Sequence, residues 1–333
     1  MTRPTRPEAP PEVQAAAEAR SAARAARDWP TADRLRAEIE AAGWTIVDAG
    51  TEFRLEPAHP PDVVEGAVAR YGRSDAVPSR LAEAPTRLAT AIVIAREDAA
   101  GAARAARSFR AHAPEDVDVV VVADGLDDER SDALATTLPG DGVELLRTSA
   151  PLGQGASLNI GTRRAAGRIV LIVDPSIEVT GDVVGPLAAS LEDPGVAIVG
   201  PFGLVSADLR HFEETVVPGP VAAIEGYLQA FRRDDVTGRG PFDEGFRFYR
   251  NLDVWWSLVL RDGGEGRAAS HVAREGASHV AREARVVAGL PVVRHEHVAW
   301  SKTRPAERDR LSKRNFYRLL ERFRDRSDLA VPG

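Results

Sequence analysis

Two short stretches, Ala91 to Ala95 and Val117 to Ala123, are continuously apolar, and neither alternates with polar positions. A strand with one wet face alternates, whereas an unbroken run suits a strand covered on both faces, the usual condition of a parallel sheet. A helical pattern from Ala100 to Arg110 lies between them. The series continues through Val143 to Leu146, a helix from about Gln154 to Ala166, and a strand from Ile169 to Val173. Strands alternating with helices in this way imply an α/β fold built on a doubly wound, mostly parallel sheet.

At 333 residues the chain is long for one domain and comfortable for two. Residues 1–11 are proline-rich and expected to be disordered, with a small helical appendage over 12–58. In that appendage Val13 to Ala42 reads as two helices. The second starts beside Pro30, carries Leu35, Ile39 and Ala42 on one stripe, and stops at Gly43 before a short strand ending near Asp48. Residues 59–89 read as linkers around a helix at Val63 to Tyr71, 90–300 as the main domain, and 301–333 as a basic closing helix with Leu311, Phe316, Leu319, Leu320 and Phe323 on its apolar side. Between Ala269 and Ala284 the unit Ala-Ser-His-Val-Ala-Arg-Glu occurs twice. Two copies make no solenoid, so this duplication reads as a lengthened loop or helix, and His271 and His279 as ordinary surface residues.

The absence of cysteine removes disulfides, thiolate nucleophiles and cysteine-based metal sites, and agrees with a reducing cytoplasm. No apolar run approaches the roughly 18 to 20 residues of a membrane span, and the first residues lack a signal-peptide core. The net charge of −7 argues against bulk electrostatic binding of nucleic acid. Ser301 to Gly333 nevertheless holds ten Lys/Arg against five Asp/Glu. A solvated helix face is the favoured reading of that tail, with peripheral membrane contact through phosphate or lipid headgroups as the alternative. The abundance of arginine and alanine suits a GC-rich bacterial genome.

In open parallel sheets ligands bind beyond the carboxyl ends of the strands, where loops and helix N-termini converge. Arg96, Glu97 and Asp98 follow the first strand, Asp124 the second, and Asp174 the strand ending at Val173. The stretch Leu152-Gly153-x-Gly155-x-x-x-Asn159-x-Gly161-x-x-x-Ala165-x-Gly167-x-Ile169-x-Leu171-x-x-Asp174 resembles the heart of family-two glycosyltransferases, which have the A-type fold. The resemblance implies transfer of a sugar from a nucleoside diphosphate sugar to an unidentified acceptor hydroxyl, inverting and assisted by Mn2+ or Mg2+. It implies a donor site of Glu97, Asp124, Gly153, Asn159, Arg163 and Asp174, with Asp124 at the nucleoside. Asn159 and Arg163 stand four apart on one helix face, which packing and solvation would equally explain.

Relatives commonly carry Asp-x-Asp at the strand end, where paired carboxylates hold the cation; this chain has Asp174-Pro175-Ser176. His295 and His297, in Arg294-His-Glu-His-Val-Ala-Trp300, stand where many relatives place a late histidine ligand. Alternate spacing on a strand would put both on one face, as metal ligands or as ordinary hydrogen-bonded histidines. The segments Glu225 to Arg233 and Gly240 to Phe246 resemble the acceptor side. The general base expected after them is Asp253, with Asp243 and Glu244 as rivals, while Asn251 occupies the usual acidic position; all three carboxylates could instead be helix-start or ion-pair residues. Trp255 and Trp256 would stack on sugar or fill the core.

Near the N-terminus, Arg27-Asp28-Trp29-x-x-Ala32-Asp33-x-Leu35-Arg36-x-x-Ile39-x-x-x-Gly43 followed by Asp48-x-Gly50-Thr51-x-Phe53 resembles the C-terminal appendage of cysteinyl-tRNA synthetases. The synthetase catalytic motifs are absent, so the resemblance implies either RNA contact or, preferably, a reused packing module. Two rivals to the enzyme therefore stand: a non-catalytic glycosyltransferase-like binding protein, and an RNA-binding module on such a scaffold.

Overall fold

A computed structural model describes residues 9–49, 52–263 and 281–333; His271, His279 and the doubled segment as far as residue 280 lie outside the described residues. The chain divides into two compact units, Met1–Arg73 and Ser74–Gly333.

In the first unit, α1 (Pro11–Ala25) and α2 (Trp29–Ala41) precede an antiparallel hairpin of β1 (Trp44–Ala49) and β2 (Glu52–Pro57). Asp28 caps α2 by accepting the Thr31 N–H at 3.2 Å, and Gly43, at φ 79°, turns the chain into β1. Val13, Ala17, Ile39, Trp44 and Ile46 form the core. Against it Arg20, 6% exposed, makes a two-pronged ion pair with Asp48 at 2.9 and 3.1 Å. The helix expected at Val63 to Tyr71 is instead a hairpin of β3 (Val63–Glu65) and β4 (Val68–Tyr71), paired Val63 to Arg70 and Glu65 to Val68. Its turn holds Gly66 at φ 62°, a conformation glycine adopts freely, and the flanking valines favour extended backbone.

The second unit opens with β5 (Arg87–Ala95), α3 (Ala99–His112), β6 (Val117–Ala123), α4 (Asp128–Thr137), β7 (Val143–Thr148), α5 (Gln154–Arg164) and β8 (Gly167–Val173). It continues through β9 (Ile177–Val179), α6 (Val184–Ser190), β10 (Val196–Gly200), β11 (Gly203–Val205), β12 (Glu213–Thr215), β13 (Gly219–Val221), β14 (Ala223–Ile224) and β15 (Leu228–Arg232). After α7 (Arg233–Arg239) and α8 (Leu252–Arg261) come β16 (Glu283–Val286), β17 (Val292–Arg294), α9 (Val298–Lys302) and α10 (Pro305–Phe323). The main sheet of this unit runs β7-β6-β5-β8-β15-β10-β16-β13. β7, β6, β5 and β8 are mutually parallel, and β15 inserts antiparallel between β8 and β10.

Both faces of this sheet are covered, which is why its strands lack polar alternation. β5 sends Ala91, Val93 and Ala95 into one cluster with the small residues of α3, and Ile92 and Ile94 into a second cluster with Leu158 of α5 and the apolar face of α8. β8 divides in the same way, with Leu171 and Val173 on one face and Val170 and Ile172 on the other. Trp255 and Trp256 lie in this second cluster, 5% and 0% exposed, so they serve the core and not a sugar. Small β11, β12 and β14 form a separate sheet, and β9 pairs with β17. No helix among the described residues is long and apolar enough to cross a membrane.

Candidate active site

The chain runs from β5 outward to β6 and β7, then returns to β8 on the other side of β5, so the crevice beyond the ends of β5 and β8 is the switch point where such sheets hold ligands. A cleft there is lined by Ile94, Arg96, Glu97, Asp174, Tyr249 and His297, among others. Asp98 caps α3 through the Gly101 N–H at 2.8 Å and thereby sets the loop after β5.

Asp174 is oriented from three sides. Its N–H donates to the Tyr227 carbonyl at 3.0 Å, and its Oδ1 accepts the Ser176 N–H at 2.8 Å and the Ser176 hydroxyl at 2.5 Å. Oδ2 is left to face His297 Nε2 at 3.4 Å. Burial works against charging His297, but the hydrogen bond and charge of Asp174 outweigh it and raise its pKa. Two donors bound at right angles about 2.1 Å from one cation stand about 3 Å apart, so this pair fits a shared divalent ion with little adjustment. Coordination through Nε2 requires the imidazole proton on Nδ1, which accepts the Trp300 N–H at 3.2 Å. That N–H also reaches the His297 carbonyl at 2.9 Å, so the change strands no donor. Tyr249 stacks on His297 with centroids 4.4 Å apart, and its hydroxyl is buried without a hydrogen-bond partner. A buried hydroxyl at the edge of a cleft, beside a carboxylate, can serve a ligand oxygen as a hydrogen-bond partner.

His295 stands apart from this pair. The strand stops at Arg294, so alternation does not continue; His295 turns its Nε2 to Glu178 at 2.7 Å, and His297 begins α9. Among the described residues no three His, Cys, Asp or Glu side chains converge on one point, so a cation at this place would find two protein donors, Asp174 and His297.

A second lobe, of about 380 Å³, opens beside the first and shares Arg96 and Glu97 with it, adding Asp124, Leu126, Arg130, Arg247 and Phe248. Glu97 lies exposed at the junction. Asp124 is 3% exposed and already occupied: it accepts the N–H groups of Leu152 at 2.7 Å and Gly153 at 3.1 Å and pairs with Arg96 at 2.8 Å. It thereby fixes the walls of the lobe that it lines. Gly153, at φ 105°, lies where a Cβ would fall 2.8 Å from the Arg247 backbone. The first N–H groups of α5 donate to the Arg247 and Phe246 carbonyls at 3.1 and 2.9 Å, so that helix end is closed by protein and is no diphosphate cradle.

The remaining expected residues are not among those that line the two lobes. Buried Asn159 splices α5 to Phe242: its Nδ2 donates to the Phe242 carbonyl at 3.0 Å and to Glu244 at 2.9 Å, and its Oδ1 accepts the Phe242 N–H at 2.9 Å. Glu244 also accepts from the Ser74 hydroxyl. Arg163 binds the Val77 and Asp75 carbonyls, and Asp243 pairs with Arg318 at 2.8 Å. Asp253 accepts the N–H of Gly226 on Oδ2 and of Val254 on Oδ1, both at 2.9 Å, while burial raises its pKa. Asn251 takes a left-handed conformation, φ 65°, and donates to Ser312 O. Tyr249 and Arg247, which line the cleft, carry no local signal; both precede α8 in a stretch without periodicity.

This sheet order, with polar loops gathered at the β5–β8 switch, is that of the A-type glycosyltransferase fold. Residues 90–238 match the model of glycosyl transferase family 2, and residues 6–53 match that of the cysteinyl-tRNA ligase anticodon binding domain. Residues 90–238 are thus similar to family-two glycosyltransferases, and they follow a segment similar to the end of a tRNA ligase. That segment is 54% identical over 57 residues to a cysteine–tRNA ligase of Opitutus terrae, a match covering 16% of this chain and 12% of the ligase. Among solved structures, GalNAc-T7 with UDP, GalNAc and Mn2+ superposes with a TM-score of 0.53 at 14% identity, over 73% of this chain and 49% of that one. The mannosyltransferase PcManGT from Pyrobaculum calidifontis, in complex with GDP-Man and Mn2+, gives 0.49 at 20% identity over 76% of this chain and 71% of its own. The chain therefore spans about an eighth of the ligase and half of GalNAc-T7.

Proposed function

We propose that this protein transfers a sugar from a nucleoside diphosphate sugar to an acceptor hydroxyl, with the donor in the two-lobed cleft beyond β5, β6 and β8. The observation that carries the reading is the Asp174 Oδ2 and His297 Nε2 pair, 3.4 Å apart at the switch point, beside the unsatisfied Tyr249 hydroxyl. A divalent cation, Mn2+ or Mg2+, held by these two side chains would neutralise the diphosphate as it departs. Arg96 and Arg247 frame the second lobe, where Phe248 and Leu126 offer apolar surface to a base. In this reading 90–300 is the transferase domain, 12–58 an accessory module and 59–89 the connection between them.

The test is a thermal-shift and calorimetric screen of UDP-, GDP- and dTDP-sugars with and without Mn2+, on wild type, Asp174→Asn and His297→Ala. A donor that binds only the native state raises Tm by mass action. The reading expects a Mn2+-dependent shift in wild type that both variants lose. Absence of a shift with every donor, or a shift that survives both substitutions, removes it.

A further inference from the structure

The turn between β14 and β15 holds a carboxyl group that the donor reading leaves without a task. Glu225 is 8% exposed, and its carboxylate makes no hydrogen bond or close ion pair among the described residues. Acidic side chains buried to this degree are ordinarily paired, because an unpaired charge is costly away from water. The charged groups that face it are the carboxylates of Glu214 and Asp253 and the guanidinium groups of Arg294 and Arg250.

Those neighbours tie Glu225 to the rim of the cation pair. Arg294 lies over the Tyr227 ring at 4.3 Å, and that ring meets His297 edge-on at 6.0 Å. The Tyr227 carbonyl, two residues after Glu225, is the acceptor that anchors the Asp174 N–H. Arg250 stacks on Trp300 at 4.9 Å, and Trp300 sits in the short helix that His297 caps. Asp253 has the complementary part: its Oδ2 holds the Gly226 N–H, so it fixes the turn that carries Glu225 and has each oxygen already engaged.

We propose that Glu225 is the general base that takes the proton of the acceptor hydroxyl, and that Asp253 is the positioning residue behind it. This rests on the donor reading above. The acceptor oxygen forms the new bond to the anomeric carbon, the anomeric carbon–oxygen bond to the diphosphate breaks with its electron pair leaving on the diphosphate, and the acceptor proton goes to the Glu225 carboxylate. Burial, with the charges of Glu214 and Asp253 adding to it, pushes the Glu225 carboxyl up to about 7, so the group is poised for proton transfer near neutrality.

The experiment uses the full chain with Mn2+ and the UDP- or GDP-sugar that binds, measuring donor affinity by calorimetry and nucleoside diphosphate released with water as acceptor. Glu225→Gln is expected to bind donor within about twofold of wild type and to lose roughly 100-fold or more in release. Wild-type release should rise through pH 7, Glu225→Gln should show no such limb, and Glu225→Asp should recover part of the rate. Release by Glu225→Gln at the wild-type rate, or with the wild-type pH profile, overturns the proposal, as does a wild type that binds donor yet releases nothing at any pH. A wild type that binds no donor is a different failure, that of the donor reading, and shows before any variant is compared.

Discussion

Replacing Glu225 by Gln changes the slope of stability against pH, whatever the reaction proves to be. A carboxyl that titrates near 7 in the folded protein and near 4.5 unfolded keeps its proton longer when folded. Its favourable contribution is complete below pH 4.5 and is lost as pH rises through 7, because ionising it in place costs more than ionising it in the open chain. The difference between the two titrations corresponds to about 3 kcal/mol of native stability lost between pH 4 and pH 8. Glu225→Gln keeps the shape and removes the ionisation. Urea unfolding followed by the fluorescence of buried Trp255 and Trp256 reads it: at an m-value of about 3 kcal/mol per M, the variant midpoint should gain about 1 M on wild type between pH 4.5 and 8. A constant offset from burying the amide leaves that slope untouched. Wild-type and variant midpoints that run parallel from pH 4.5 to 8 would refute the claim that this carboxyl is buried unpaired.

Asn159→Ala strands the Phe242 N–H and carbonyl and leaves Glu244 Oε1 with the Ser74 hydroxyl alone, and should cost about 3 kcal/mol in chemical denaturation while leaving donor affinity unchanged. A selective loss of donor binding would return Asn159 to the site. Gly155→Ala places a Cβ 2.4 Å from the Asp243 carbonyl oxygen, a backbone atom that yields little, so a loss of about 2 kcal/mol is expected from the same measurement and wild-type stability would contradict it. Arg20→Ala removes the two-pronged partner of Asp48 and leaves it paired with Arg24; the first unit should lose roughly 1 kcal/mol of local stability, read as faster amide exchange in α1 and β1, with exchange in β5 and β8 unaltered.

How much of this was legible beforehand follows from where each residue finds its partners. β5, β6 and β8 could be read because burial on both faces writes itself as an unbroken apolar run, and Arg96 and Asp174 because a topological rule places ligands just past such runs. The hairpin of β3 and β4 is not legible from sequence, since a stretch as short as Val63 to Tyr71 holds too few residues to distinguish the two periods. Asn159, Arg163, Asp243 and Glu244 are hard to read from sequence for another reason. Each is polar and sits in a ligand-like motif, yet each spends its hydrogen bonds on backbone or side chains far along the chain, and no local spacing reports a partner some eighty residues away.

The strand-end motif shows what such distance conceals. As a string, Asp174-Pro175-Ser176 looks like a pair of carboxylates with one lost. In three dimensions Ser176 gives both its N–H and its hydroxyl to Asp174 Oδ1, while the Tyr227 carbonyl holds the backbone of Asp174. One oxygen is thereby pinned and the other aimed at His297, contributed by a segment more than a hundred residues later. A single carboxylate held in place needs no ordering when a ligand arrives, whereas two adjacent carboxylates repel until a cation joins them. In the site proposed above, the serine supplies orientation where a second aspartate would supply charge, and the histidine would supply the second donor.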